Sequence, residues 1–315
     1  MKILVTGCAG FIGSTLAAKL LGEGRDVIGV DCFTDYYDRW IKERNLEPLL
    51  PRKNFRFIEQ DVATLDVRSI LERGDAIAHE AAQAGVRASW GSNFQTYTHH
   101  NITATQSLLE SVKDLGLSRF VLAGSSSVYG DALRLPTFED DTPQPISPYG
   151  VTKLASEHLC RLYHKNYGVP AVVLRYFTVY GPKQRPDMAF HKWCKAALAD
   201  EPLPLFGDGE QTRDFTFVDD AVAATAAALE APNVEGEIIN VGGGRRITVN
   251  GVLGVLESIH GRPIKRTDKG RQKGDVRHTG ADVSKAERLL GFSPKVSLED
   301  GLRLEYAHMK KLYGF

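Results

Sequence analysis

Tyr149 and Lys153 lie four residues apart in the run YGVTK at 149–153. On a helix, residues at this spacing share a face, so a phenol and an ammonium would stand side by side. A phenol ordinarily ionises near pH ~10, and a neighbouring positive charge favours its ionised form. The pair therefore suits a base that takes a proton from an alcohol. Many helices carry a Tyr and a Lys at this spacing without doing chemistry, so the pair needs a partner.

The start of the chain supplies one. Residues 2–6 read as a short strand, and Gly7-Cys-Ala-Gly10-Phe11-Ile12-Gly13 follows directly before a helical pattern through Leu16, Leu20 and Leu21. Glycines permit a tight turn and let backbone N–H groups approach a pyrophosphate at the positive end of the helix. The spacing is GxxGxxG, which differs from the GxGxxG of the common dinucleotide fingerprint. A second strand, 26–30, ends in Asp31, placed to bind the adenosine ribose hydroxyls. A carboxylate there repels a 2′-phosphate, so NAD is expected in preference to NADP. A bound NAD would accept the hydride that leaves an alcohol as Tyr149 takes its proton.

The elements that must hold these residues alternate. Strands are expected at 2–6, 26–30, 55–59, 75–79, 119–123 and 171–176, with helices near 12–22, 65–73, 98–116 and 149–167. That rhythm implies an α/β, Rossmann-type doubly wound parallel sheet covered on both faces. Ligands on such sheets sit beyond the carboxyl ends of the strands. Those ends carry the glycine turn, Asp31, Asp61-Val62, Ala81-Ala82-Gln83, Ser125-Ser126-Ser127 and Tyr176-Phe177-Thr178. After residue 177 the pattern is less regular, with a helix over 218–230, a strand at 237–241 and helices near 248–260, 283–290 and 298–312. The expected division is an NAD-binding domain over 1–177, to which 214–241 returns, and a smaller, interleaved substrate domain over 178–315.

Composition narrows the partners. The 315 residues are 43% apolar and 25% charged, and 39 basic residues balance 39 acidic ones. There is no net basic field to attract nucleic acid or a membrane surface. Cys8, Cys32, Cys160 and Cys194 are scattered without metal-ligand spacing, which suits reduced thiols and a cytoplasmic location. The nine histidines show neither HxH nor HExxH spacing, so no metal is expected. Residues 1–6 already belong to the fold and no uninterrupted apolar run reaches ~18 residues, so neither a leader nor a membrane span is expected.

Over nearly its whole length the chain resembles the extended short-chain dehydrogenase/reductase family, and within it the nucleotide-sugar epimerases and dehydratases. The motifs that carry this are GCAGFIG at 7–13, Asp61-Val62, Ser125 before SVYG at 127–130, YGVTK at 149–153, RYFTVYGP at 175–182 and RDFTFVDD at 213–220. The resemblance implies that Tyr149 is the catalytic base, that Lys153 assists it and binds the nicotinamide ribose, and that Ser125 hydrogen-bonds the reacting oxygen. It places Asp61 and Val62 beside adenine, with Ala81, Ala82, Gln83 and Tyr176 along the cofactor groove. It also implies a homodimer joined through 98–116 and 149–167.

Three segments are similar to those of UDP-glucuronate 4-epimerases: DCFTDYYD at 31–38 with Lys42 and Asn45, AAQAGVR at 81–87, and GPKQRPDMA at 181–189. Thr178, where many relatives have Asn, agrees. Oxidation at C4 of a UDP-uronic acid places the C6 carboxylate in a β-keto-acid relation, and the intermediate is prone to lose carbon dioxide. An epimerase must hold the carboxylate so that the C5–C6 bond lies near the sugar plane, and charge-assisted hydrogen bonds suit that task. Arg185 with Ser126, Ser127 and Thr178 are the expected clamp. Related decarboxylases carry Glu where this chain has Ser127, which counts against decarboxylation; UDP-glucose 4-epimerase is the other rival. For the nucleotide end the resemblance points to Gln211 and Arg213, with Arg271 or Arg277 as a second diphosphate arginine. Arg87 has a direct substrate role or holds the sugar loop. Leu205 and Phe206 either wall the uracil or belong to the core, and Thr279 is a small residue where sugar size is limited.

Overall fold

The computed structural model of the protein describes residues 1–270 and 274–315; Arg271 lies outside them. Six strands, β1 (Lys2–Thr6), β2 (Asp26–Asp31), β3 (Phe55–Glu59), β4 (Ala76–His79), β5 (Arg119–Ser125) and β6 (Ala171–Tyr176), join Ile238–Val241 in one sheet. All neighbours pair in parallel, in the order Ile238–Val241, β6, β5, β4, β1, β2, β3. The chain builds outward from β1 to β3, then returns to set β4 on the other side of β1. The crevice between the β1 and β4 ends is therefore the switch point at which such sheets hold ligands. Register levels these ends, since Thr6 pairs with both Val30 and His79.

Both faces of the sheet are covered, as a parallel sheet requires. On one face, Leu16 and Leu20 of helix α1 (Phe11–Gly22) pack with Ala221 and Val222 of the helix Val218–Glu230. On the other, Leu108 and Leu109 of the helix Ala104–Val112 pack with Cys160 and Tyr163 of the helix Pro148–Tyr167. The later segments add short pairings, among them Leu203–Leu205 with Arg266–Asp268 and Thr212–Asp214 with Arg246–Thr248. No helix of the described residues is long and apolar enough to cross a membrane.

Two local expectations need correction, and one element is new. The helix expected over 65–73 is absent; two 3₁₀ turns, Val62–Thr64 and Val67–Ser69, stand nearby. Leu65 is extended between them, and Leu65, Val67 and Leu71 all reach the core. The helix expected over 98–116 is a π-turn, Thr98–Thr103, leading into Ala104–Val112. An unexpected helix α2 (Arg39–Leu46) buries Ile41 and Leu46 together with Lys42 and Asn45, whose polarity hides the period.

Candidate active site

The glycine turn is fixed by backbone contacts. A Cβ on Gly13 would lie 2.2 Å from the Gly7 carbonyl oxygen, so only glycine lets α1 start against the end of β1. Asp31 locks the far side: its carboxylate accepts from the N–H of Ala9 at 3.1 Å and of Phe33 at 2.8 Å. Two α2 residues brace this wall, for Asn45 donates to the Ala9 carbonyl at 3.0 Å and Lys42 to the Thr34 carbonyl at 2.8 Å.

The β4 end is held by a buried relay. Thr6 Oγ1 and Thr105 Oγ1 flank the His79 ring at 2.7 and 3.1 Å, and the Ala81 N–H donates to Thr6 Oγ1 at 3.1 Å. Burial, helped by the Lys153 charge, pushes the His79 pKa down to about 3, so the ring is neutral. Asn101, on the π-turn, exchanges hydrogen bonds with the Gln83 backbone at 2.7 and 3.0 Å and donates to Thr152 Oγ1 at 2.9 Å. It thereby ties the 81–83 loop to the tyrosine helix. Sequence reading missed Asn101, because its role comes from a π-turn with no spacing signal; π-turns gather at functional sites.

The helix Pro148–Tyr167 starts where Ser147 Oγ accepts from the Gly150 N–H at 3.1 Å, with Pro148 in the first turn. A Cβ on Gly150 would lie 2.6 Å from the Ser127 carbonyl oxygen, so glycine lets this helix approach the serine loop closely. Within that loop Ser125 Oγ accepts from the Ser127 N–H at 3.1 Å. Two turns further along the helix, Glu157 meets Arg175 of β6 through three contacts of 2.8–3.2 Å, both side chains buried. That pair pins the helix to the sheet. The Tyr149 ring meets Tyr97 edge-on at 6.2 Å, and the Tyr97 hydroxyl donates to the carbonyls of Ala84 and Gly85.

One cleft results. Its wall includes Gly7, Gly10, Phe11, Ile12, Gly13, Asp31, Asp61, Val62, Ala81, Ala82, Gln83, Tyr149, Lys153, Tyr176 and Arg185, together with Glu80 and Tyr37, which the sequence reading did not single out. Cys32, Asp61 and His100 converge there with donor atoms within 4.8 Å, a grouping invisible in the spacing. The Asp61 carboxylate already accepts from the Ala63 N–H at 2.9 Å and meets His99 at 2.7 Å.

The cations expected to meet the substrate are engaged with the protein's own groups. Arg185 forks onto Asp187 with both contacts at 2.9 Å, and the Tyr36 hydroxyl also donates to Asp187. Arg87 pairs with Asp275 at 2.6 Å and lies 3.9 Å over the Phe206 ring. Arg213 donates to the carbonyls of Thr212, Val276 and Arg277, and Arg277 forks onto Asp208 at 2.8 and 3.0 Å. Gln211 donates to the Phe206 carbonyl at 2.6 Å, and its buried Oε1 has no partner among the described residues. Leu205 ends a short strand, Thr279 Oγ1 accepts from the Asp214 N–H, and Thr178 is half-buried.

A parallel sheet with a glycine turn, a carboxylate at the end of β2 and a Tyr/Lys pair on one cleft defines a dinucleotide-binding enzyme of the short-chain dehydrogenase type. The chain belongs to the NAD dependent epimerase/dehydratase family, whose pattern matches residues 3–242. It is 47% identical to a Bacillus subtilis protein described as an uncharacterized UDP-glucose epimerase, with 99% of each chain covered. It is 43% identical to the UDP-glucuronate 4-epimerase of Thermodesulfobacterium geofontis, covering 95% of this chain and 93% of that one. The crystal structure of the Bacillus cereus UDP-glucuronic acid 4-epimerase in complex with UDP-glucuronic acid and NAD superposes with a TM-score of 0.97 at 48% identity, over 99% of this chain and 100% of that one.

Proposed function

We propose that this chain interconverts UDP-glucuronate and UDP-galacturonate by NAD-dependent epimerisation at C4, without decarboxylation. The observation that carries the substrate is Arg185, half-buried on the same cleft wall as Tyr149 and Lys153. A guanidinium there offers a carboxylate a charge-assisted, forked contact. The cradle formed by Gly7 and Gly13 leaves backbone against the ligand, which fits the cofactor's pyrophosphate, and Asp31 fits its adenosine ribose. NAD bound there supplies a reversible hydride acceptor.

Tyr149 takes the proton of the 4-hydroxyl, Ser125 hydrogen-bonds the reacting oxygen and Lys153 favours the phenolate. The 4-keto sugar turns, and Tyr149 returns the proton once the opposite face has been reduced. Meanwhile Arg185, Ser126, Ser127 and Thr178 hold the carboxylate with the C5–C6 bond out of line with the carbonyl π system. Residues 1–177 with 214–241 serve the cofactor and 178–315 the UDP-sugar. Gln211, Arg213 and Arg271 or Arg277 serve the nucleotide; the buried Gln211 Oε1 has no partner among the described residues.

The test offers UDP-glucuronate, UDP-glucose and UDP-N-acetylglucosamine in parallel and separates the products. UDP-galacturonate from UDP-glucuronate is expected. Epimerised UDP-glucose beside untouched UDP-glucuronate would overturn the reading, and carbon dioxide as the main product would establish a decarboxylase.

A homodimer joined through 98–116 and 149–167 belongs to the same reading. Val151 and Leu162 are 47% and 54% exposed, three turns apart on one face of the tyrosine helix, and Val151 lines an apolar hollow with Trp90, Phe94 and Ile146. The four cysteines are unpaired, as a cytoplasmic protein's would be. Sedimentation of wild type and Leu162→Glu checks the dimer.

A further inference from the structure

Glu80 follows β4 and faces the cleft one residue before the cofactor-facing alanines. Its Oε1 lies 2.9 Å from the Tyr176 hydroxyl, which lies 2.6 Å from Thr225 Oγ1, which lies 3.0 Å from the Ala221 carbonyl oxygen. This chain crosses from β4 over β6 to the helix Val218–Glu230. Three oxygen–oxygen contacts need three hydrogens. Tyr176 and Thr225 bring one each, and the Ala221 carbonyl brings none. The third must sit on Glu80. A carboxylate would require Thr225 to turn towards Tyr176, leaving Thr225 Oγ1 and the Ala221 oxygen facing each other at 3.0 Å with no hydrogen between them.

We propose that Glu80 is held as the neutral acid, donating to Tyr176, so that the ammonium of Lys153 is left to Tyr149. Glu80 is thus a positioning residue of the base pair, and this rests on the reading of Tyr149 and Lys153 as that pair. Burial acts the same way: it pushes the Glu80 pKa up to about 7, against the Tyr176 hydrogen bond and the Lys153 charge. Those two are the titratable groups that face it, Lys153 from the tyrosine helix and Tyr176 from β6. His79, its neighbour on β4, is neutral, and the helix Val218–Glu230 presents the uncharged Thr225. An ionised Glu80 would compete with Tyr149 for the Lys153 ammonium.

Three readouts test this. The infrared difference between wild type and Glu80→Gln at pH 6 is expected to contain a protonated carboxyl band that titrates away near about 7. In Thr225→Val, Tyr176 is free to turn its hydrogen onto Glu80, so the midpoint falls. Were Glu80 charged, with Thr225 donating to Tyr176, the same substitution would remove support from the carboxylate and raise the midpoint. Turnover by wild type is expected to decline as pH rises through about 7, while Glu80→Gln, whose amide donates to Tyr176 permanently, lacks that limb. Absence of the band at pH 6, or a raised midpoint in Thr225→Val, overturns the neutral acid. A falling limb shared by both proteins overturns its link to Lys153. The infrared result needs no substrate, so it fails independently of the epimerase reading, which fails if Tyr149→Phe keeps full activity.

Discussion

The two sides of the cleft are prepared in different ways. On the cofactor side the contacts are backbone or short side chains already in place: the Gly7–Gly13 approach, Asp31 held by two N–H groups, His79 between two threonines. On the proposed sugar side the polar groups are long cations, and Arg185, Arg87 and Arg277 each pair with an aspartate of the protein. A cofactor used and regenerated in every cycle suits a rigid cradle. A substrate that enters, turns and leaves suits cations whose internal partners can be exchanged for its carboxylate and phosphates. Binding on the first side should therefore fail through sterics, and on the second through charge.

The largest effect expected belongs to neither side but to Tyr149, the proposed base, between them. Tyr149→Phe should lower turnover by about 10²–10⁴-fold, the range for a lost general base, while the native variant keeps its bound NAD, measured by absorbance after denaturation releases it. Loss of NAD together with activity would mean that the tyrosine serves the cradle. Gly13→Ala probes that cradle directly. The added methyl meets backbone that cannot move cheaply, and overpacking of this kind costs about 1–3 kcal/mol. Purified protein should carry much less NAD and melt at a lower temperature. Arg185→Ala probes the other side: a lost charged hydrogen bond of about 1.5–3 kcal/mol corresponds to roughly 10–150-fold in kcat/KM for UDP-glucuronate. Any residual UDP-glucose turnover should change little, and equal losses on both sugars would make Arg185 structural.

The same contrast decided what could be read from the residues alone. The cofactor side was legible because its parts are sequential: GxxGxxG needs glycine where Gly13 meets Gly7, and Asp31 ends the next strand. The alternating strands were legible because each is a short apolar run. Helix α2 was not, since Lys42 and Asn45 point inward to backbone carbonyls and break the apolar period. Glu80 was passed over because its partners, Tyr176 and Thr225, lie about 100 and 150 residues away. For Arg87 and Arg277 the residue was visible and the partner was not. Phe206, read as either a wall for uracil or a core residue, has one ring face occupied by the Arg87 guanidinium. Only folding brings Asp275 to Arg87 and Asp208 to Arg277.

The smallest effect expected comes from that last pair, and it decides which arginine serves the diphosphate. Arg277 and Asp208 form an exposed fork, the kind of pair that adds little to stability and weakens with salt. Asp208→Asn should leave the melting temperature nearly unchanged. If Arg277 meets the diphosphate, freeing it lowers KM for UDP-sugars a few-fold at low ionic strength, with kcat unaltered, and the gain fades as salt is added. Adding Arg277→Ala to Asp208→Asn then reverses the gain and raises KM above the wild-type value. If Arg271 has that role, Asp208→Asn leaves KM where it was and Arg271→Ala raises it instead. Either outcome shows whether the exchange of internal partners for substrate, inferred for Arg185, extends to the nucleotide end of the cleft.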